Sequence, residues 1–207
     1  MRCLAILNSL SMPVSYADDS EIRSTIAVDK PNYRWALSAD FRYRSTTIRY
    51  KHYDTNLALP LPRLSKDVTT TWGYRYIKQF DHGSQDWRPV QRFYGQIAKG
   101  WRFDQGRLTV RTRQEIRTFT NRRTQSRNRL RIQWQQTPHN RRFKPFISNE
   151  WFYDVDHGTF TRTRWDVGLN LPPYGRISTK IFYKVVVNRD QGFDARQPSV
   201  GVHLAVR

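Results

Sequence analysis

Apolar residues recur at every second position along most of the chain. In residues 33–44, Tyr33, Trp35, Leu37, Ala39, Phe41 and Tyr43 alternate with Arg34, Ala36, Ser38, Asp40, Arg42 and Arg44. A period of two sends successive side chains to opposite faces, so it predicts a β-strand with one apolar and one polar face. The same rhythm predicts strands over 47–54, where Ile48, Tyr50 and His52 oppose Arg49, Lys51 and Tyr53, and over 68–80 and 90–99. It continues over 108–117, 127–134, 143–153, 159–171, 175–188 and 200–207, ten strands in all. Residues 22–28 also alternate and could add an eleventh. Turn-forming sequences separate the segments, among them Asp104-Gln105-Gly106, Asp156-His157-Gly158 and Pro172-Pro173. No segment needs a helix.

Two neighbouring strands carry arginine on the polar face at nearly every position. Arg111, Arg113 and Arg117 share a parity with Glu115, and Arg127, Arg129 and Arg131 alternate with Asn128, Leu130 and Ile132. Alternation alone fits a soluble sandwich or a membrane barrel, and strand length separates the two. Globular strands average about 5–6 residues, whereas bilayer-spanning strands need about 9–11. Most segments here are of the longer kind, and aromatic residues such as Trp35 and Phe41 sit near strand ends. The expected fold is therefore all-β, a single antiparallel up-and-down transmembrane β-barrel of about ten strands, with both chain ends on one side. Residues 56–67 form a long connection containing Pro60 and Pro62; a hairpin hidden there would make twelve strands.

Composition adds a compartment and a set of partners. Residues 1–17 combine Arg2, an apolar stretch over 3–7 and Ser15-Tyr16-Ala17 before Asp18, the pattern of a secretory signal peptide whose true start could lie upstream. The expected organisation is then a leader over 1–17, a tail or extra strand over 18–32, and an outer-membrane barrel over 33–207, exported through the periplasm of a Gram-negative cell. Outer-membrane lipid, lipopolysaccharide and the barrel-assembly machinery are the expected partners. The only cysteine, Cys3, would leave with the leader, so no disulfide framework is expected. Near the end, Gly201, Leu204 and Val206 reproduce the spacing of a barrel-assembly signal, although the chain stops at Arg207 where an aromatic is usual.

A formal charge of +19 suits nucleic acid, anionic lipid or acidic solutes equally. Stacking on single-stranded nucleic acid wants aromatics and cations on one face, and here Trp134 opposes Arg129 and Arg131 while Trp165 opposes Arg164. No nucleic-acid partner is expected, and a soluble basic β-protein is the least favoured reading. In a barrel the polar face turns inward, which gathers Arg111, Arg113, Arg117, Arg127, Arg129, Arg131, Arg162, Arg164, Lys180 and Lys184 around one interior. Glu115, Glu150 and Asp166 are the counter-charges. Such a wall either attracts small anionic solutes into a narrow, porin-like passage or fills the interior with ion pairs. The expected role is thus structural or passive transport, with an outer-membrane enzyme or lipid-binding barrel as the alternative. Catalysis has little support: Asp154, Asp156 and His157 read as a polar turn, and the histidines have no metal-ligand spacing. No cofactor is expected.

Several motifs carry a family resemblance: Trp87-Arg88-Pro89-Val90-Gln91-Arg92, Arg113-Gln114-Glu115-Ile116-Arg117, Arg127-Asn128-Arg129-Leu130-Arg131, Asn149-Glu150-Trp151-Phe152, and Arg164 followed by Val167-Gly168-Leu169. In order and spacing they resemble a domain-of-unknown-function family described as outer-membrane β-barrels. The resemblance covers residues 90–207 well and the first third poorly. It implies an outer-membrane location and no established activity. A looser likeness, of length and basic lining, is to the small porins specific for oligogalacturonate or sialic acid.

Overall fold

A computed structural model of the chain describes residues 19–29, 32–44, 47–61, 65, 67–81, 86–120, 122–137, 143–189 and 195–206. The predicted leader over 1–17 lies outside them. Eleven strands follow one another: β1 (Asp19–Asp29), β2 (Arg34–Arg44), β3 (Thr47–Pro60), β4 (Val68–Asp81), β5 (Asp86–Phe103), β6 (Gly106–Phe119), β7 (Arg122–Gln136), β8 (Lys144–Asp154), β9 (Thr159–Asn170), β10 (Ile177–Asn188) and β11 (Ala195–Val206). Each pairs antiparallel with its sequence neighbour, and β1 pairs with β11 to close a barrel.

The count of eleven is close to the expected ten. The additional strand is β1, the eleventh that the alternation over 22–28 offered, and it begins at Asp19. An up-and-down meander with an odd number of strands brings its first and last strands together in the same direction. The closing pair is accordingly parallel, with Asp19 opposite Ser199 and Ile26 opposite Val206. The start of β1 and the end of β11 therefore lie at opposite ends of the barrel, which corrects the expectation that both chain ends share one side. Among the described residues of 56–67 no twelfth strand appears: β3 continues to Pro60, and Ser65 bridges to Val68.

The apolar parity faces outward on nearly every strand. Ile26, Leu37, Trp72, Ile97, Ile116, Ile147, Trp165, Val167 and Ile181 are all exposed, while the buried set is led by polar and charged groups. One parity differs from expectation: His52 and Asp54 are buried inside while Tyr53 and Leu57 face out. The reason is charge. His52 Nδ1 lies 3.8 Å from Asp40 and its Nε2 3.4 Å from Asp54, so the ring belongs to the inner network and not to the apolar face. Register shifts fall at Arg42/Tyr43, Arg117/Phe119 and Phe152/Tyr153, each in the part of its strand nearest the Asp19 end. Bulges concentrate at barrel rims because an extra residue there bends a strand without disturbing the central ladder.

Aromatic side chains form a run across the outer wall near the Asp19 end. Phe41 meets Tyr53 edge-on with centroids 5.7 Å apart, Tyr53 lies 5.2 Å from Trp87, and Trp87 lies 5.4 Å from Phe80. Tyr153 and Phe160 make a similar edge contact at 5.1 Å. Towards the other rim, Phe103 and Trp134 pair at 5.8 Å. Inside, room for large rings comes from glycine on the neighbouring strand. Gly201 is opposite Phe182 and Gly73 is opposite Tyr94; a Cβ at either glycine would collide with the facing ring.

Candidate functional site: the charged interior

The inner faces of β5–β9 supply one charge cluster. Glu115 and Glu150 are completely buried, 0% exposed, at the centre of it. Arg129, projecting between them from β7, donates from Nη1 to Glu115 at 2.6 Å and from Nη2 to Glu150 at 2.8 Å. Glu115 also accepts from Arg127 Nη2 at 2.8 Å, with Arg92 and Arg113 each 3.7 Å away. Glu150 accepts from Arg111 Nη2 at 2.7 Å and has Arg164 at 3.1 Å. Asp166 sits 3.2 Å from Arg164 and 3.7 Å from Arg131, and accepts from the Ser148 hydroxyl at 3.2 Å. Strand pairing makes this meeting inevitable: Arg111, Arg131, Glu150 and Arg164 are successive cross-strand partners on β6 to β9.

Among the described residues, seven arginines thus reach three carboxylates. Guanidinium groups suit this sharing, since their planar forks donate to two carboxylates at once. Rings take part of the remaining charge. Arg127 and Arg129 lie 5.0 and 4.8 Å from the Phe152 ring, Arg113 lies 4.3 Å from Tyr94, and Lys180 lies 4.1 Å from Phe146. Arg162, nearer the rim, donates from Nε to Asn188 at 2.7 Å and stands 5.8 Å from Phe152.

A second cluster occupies the opposite wall, on β1–β4, β10 and β11. Asp54 pairs with Arg75 through both carboxylate oxygens, has Arg23 at 3.6 Å, and touches His52. Lys184 pairs with Glu21 across β11, so this ion pair ties the two sides of the parallel seam. Thr25, Ser38 and His203 complete it, with Thr25 Oγ1 3.0 Å from Ser38 Oγ and 2.9 Å from His203 Nε2. Among the described residues three acids of this wall, Glu21, Asp40 and Asp54, thus lie with the cations Arg23, Arg75 and Lys184.

All ten basic residues expected in the interior lie on inward parities, but they do not form one continuous wall. Lys184 belongs to the second cluster, and Arg162 lies apart near the Asp19 rim. Sequence reasoning passed over Arg92, Arg75 and Arg23 and the acids Glu21, Asp40 and Asp54, because on their strands the charges are of mixed sign or widely spaced and form no run like those of β6 and β7. Arg92 was on the polar parity of its strand, and that was the available signal. Of the expected assembly signal, Gly201 faces inward beneath Phe182, while Leu204 and Val206 face outward. Asp154, Asp156 and His157 spend their hydrogen bonds on a turn: Asp154 Oδ1 accepts from the backbone of Asp156 at 3.0 Å and His157 at 3.2 Å, and Asp156 Oδ2 accepts from the Ser126 N–H at 2.8 Å. Gly158 closes that turn with φ +65°.

An apolar outer wall around a charged, hydrogen-bonded interior defines the class: a closed β-barrel turned inside out relative to a globular protein. The chain belongs to the DUF2490 family, a protein of unknown function, whose model matches residues 23–196. That span takes in most of the first third, where the motifs had looked weakest. No curated protein and no solved structure matches it.

Proposed function

We propose that this protein is an outer-membrane β-barrel with an interior occluded at mid-height by its arginine–glutamate network, and that its role is structural or narrowly anion-selective. The carrying observation is the reversal of polarity across the wall. More than thirty large hydrophobics are exposed while Glu115 and Glu150 have no solvent contact. In water such a surface would be an aggregation liability, and in a bilayer it is the favoured arrangement. Length agrees: at ~3.3 Å per residue and a tilt of ~40°, even an 11-residue strand climbs about 28 Å, enough for an apolar band of ~25 Å. The aromatic run at the Asp19 end and the Phe103–Trp134 pair towards the other rim sit where interfacial girdles belong. The occlusion follows from side-chain length, since arginines from four strands, β5, β6, β7 and β9, meet on two carboxylates and leave neither exposed.

Membrane fractionation with gel mobility before and after boiling tests the location. The expected result is an outer-membrane band that migrates faster unboiled; a freely soluble chain with no heat-dependent shift would remove the barrel from the membrane. Planar-bilayer recording tests the interior. Wild-type protein should give no large steady conductance, and any brief events should favour anions; cation-selective or wide, stable openings would contradict an interior held by these arginines. Outer-membrane catalysis is not part of this reading, because Asp154, Asp156 and His157, the cluster that suggested it, are committed to a turn.

A further inference from the structure

Between Glu115 and the Asp19 rim the interior carries more cation than its neighbours can neutralise. Arg75, Arg92 and Arg117 are direct cross-strand partners on β4, β5 and β6, three like charges in one row. Like charges placed directly opposite destabilise a sheet. Arg75 is satisfied by Asp54. Arg92 and Arg117 are not satisfied in this way. Arg92 is buried, 9% exposed, makes no hydrogen bond to a described residue, and has only Glu115 nearby at 3.7 Å. Arg117 has neither ion pair nor hydrogen bond among the described residues and lies 5.0 Å from the Phe119 ring. Arg127 gives one amino group to Glu115, while its Nε is buried and unpartnered, like the Nε atoms of Arg92 and Arg117. Arg92 and Arg117 are cross-strand partners, and Arg127 is bonded to the Glu115 carboxylate that lies 3.7 Å from Arg92, so these groups face one volume.

The next inward layer towards the rim is apolar. Ile77, Val90 and Phe119 are cross-strand neighbours two residues beyond the arginines, and Ile77 and Val90 are buried. A row of guanidinium groups beneath an apolar collar, with buried donors left over, is a desolvated cationic layer that lacks its counter-charge. Removing a cation from water costs several kcal/mol unless a partner replaces the lost hydration. On the other side of Glu115 that partner is Glu150 or Asp166. Here no carboxylate among the described residues takes that place.

We propose that Arg92, Arg117 and Arg127 form an oxyanion-binding site, entered from the Asp19 rim, that takes a phosphate or carboxylate group of a small solute. This rests on the barrel reading above and names what the interior receives. The three forks converge from three adjacent strands, which favours a group with two or three acceptor oxygens over a monatomic anion. Glu115 is the floor of the site, because it fixes Arg127 and repels a second anion from going deeper.

The test is thermal unfolding of the detergent-purified full chain, read by gel mobility, in inorganic phosphate, sodium glucuronate, or sodium chloride of equal ionic strength. Phosphate or glucuronate should raise the midpoint well beyond chloride, in a saturable manner, because a ligand of the folded state stabilises it in proportion to occupancy. The stronger of the two identifies the physiological oxyanion. Arg117→Gln should weaken the effect at least tenfold, and Arg117→Lys by only a few fold, since it keeps the charge and loses the fork. Arg102→Gln, an exposed residue at the opposite rim, should leave it unchanged. A folded, heat-modifiable wild type that responds to phosphate and glucuronate no more than to chloride overturns the site and leaves the barrel standing, as does undiminished binding by Arg117→Gln. A chain with no heat-modifiable form overturns both. If Arg117→Gln does not fold, Arg117→Lys decides, because equal affinity with wild type for both oxyanions contradicts recognition by the fork.

Discussion

Asp54 and Glu115 are both buried carboxylates held by arginine, yet the charges around them differ. Asp54 belongs to a wall where, among the described residues, Asp54 takes both Arg23 and Arg75, Glu21 takes Lys184, and His52 lies between Asp40 and Asp54. Glu115 belongs to a wall where seven arginines divide three carboxylates. A balanced cluster inside a barrel needs nothing from outside to stay folded. On the proposal above, the unbalanced wall takes its missing counter-charge from a bound oxyanion, which would make it addressable by solute in a way the other is not.

The largest effects should come from removing either carboxylate. Glu115→Gln takes away two charge-assisted hydrogen bonds and leaves Arg92, Arg113, Arg127 and Arg129 with no shared acid, a loss of about 4 kcal/mol by analogy with broken buried ion pairs. Asp54→Asn should cost a similar amount, because Arg75 and Arg23 lose their acid. Urea denaturation of the detergent-folded barrel measures both. The contrast lies in rescue: phosphate should restore part of the stability of Glu115→Gln and none of that of Asp54→Asn. Equal rescue of both variants would erase the distinction between the walls.

The seam offers the next step down. Lys184→Met leaves Glu21 without the lysine that reaches it across β11, at a cost of about 3 kcal/mol. Adding Glu21→Gln should recover part of that loss, because it also removes the buried carboxylate that has lost the Lys184 charge. Destabilisation of the double variant equal to the sum of the single ones would show that the pair does not act as a unit.

Much of this architecture was legible before any coordinates. Period-two alternation located ten of the eleven strands, since an apolar outer face and a polar inner one leave a clear record. Strand β1 was ambiguous because Glu21, Arg23 and Thr25 could equally belong to a polar tail, and only pairing with Gly201 to Ala205 on β11 decides. The dense arginines of β6 and β7 announced the first cluster and its acids. The second stayed hidden for a physical reason: Glu21, Asp40, Asp54 and Arg75 are on four separate strands, one on each, and charges of mixed sign leave no run of one sign to notice. His52 was misplaced by the same logic, because a histidine beside Tyr50 and Ile48 looks apolar until Asp40 and Asp54 are seen on either side.

Gly201 separates a packing role from a signalling one, with a moderate effect. Gly201→Ala puts a methyl into the Phe182 ring, an overpacking that should cost about 2 kcal/mol. Combining it with Phe182→Leu removes the obstructing ring edge and should recover stability and yield together. If Gly201 serves instead as part of an assembly signal with Leu204 and Val206, the double variant will assemble in cells as poorly as the single one while refolding normally in detergent. Membrane yield set against in vitro midpoint distinguishes the two.

The smallest expected effect probes the border between the walls. Tyr94 sits on β5 beside the arginine cluster, its ring 4.3 Å from the Arg113 guanidinium, while its hydroxyl donates at 3.0 Å to Asn56 on β3 of the balanced wall. The ring lies over Gly73 of the intervening strand, which lets one side chain span both clusters. Tyr94→Phe keeps the ring and the cation–π contact and loses only the hydroxyl, so it should cost about 1 kcal/mol. Coupling is then read by combining it with Glu115→Gln and with Asp54→Asn. Additivity in both combinations would make the walls independent modules of one barrel. A coupling energy above about 0.5 kcal/mol in either would show that charge imbalance on one side is felt on the other through this single hydroxyl.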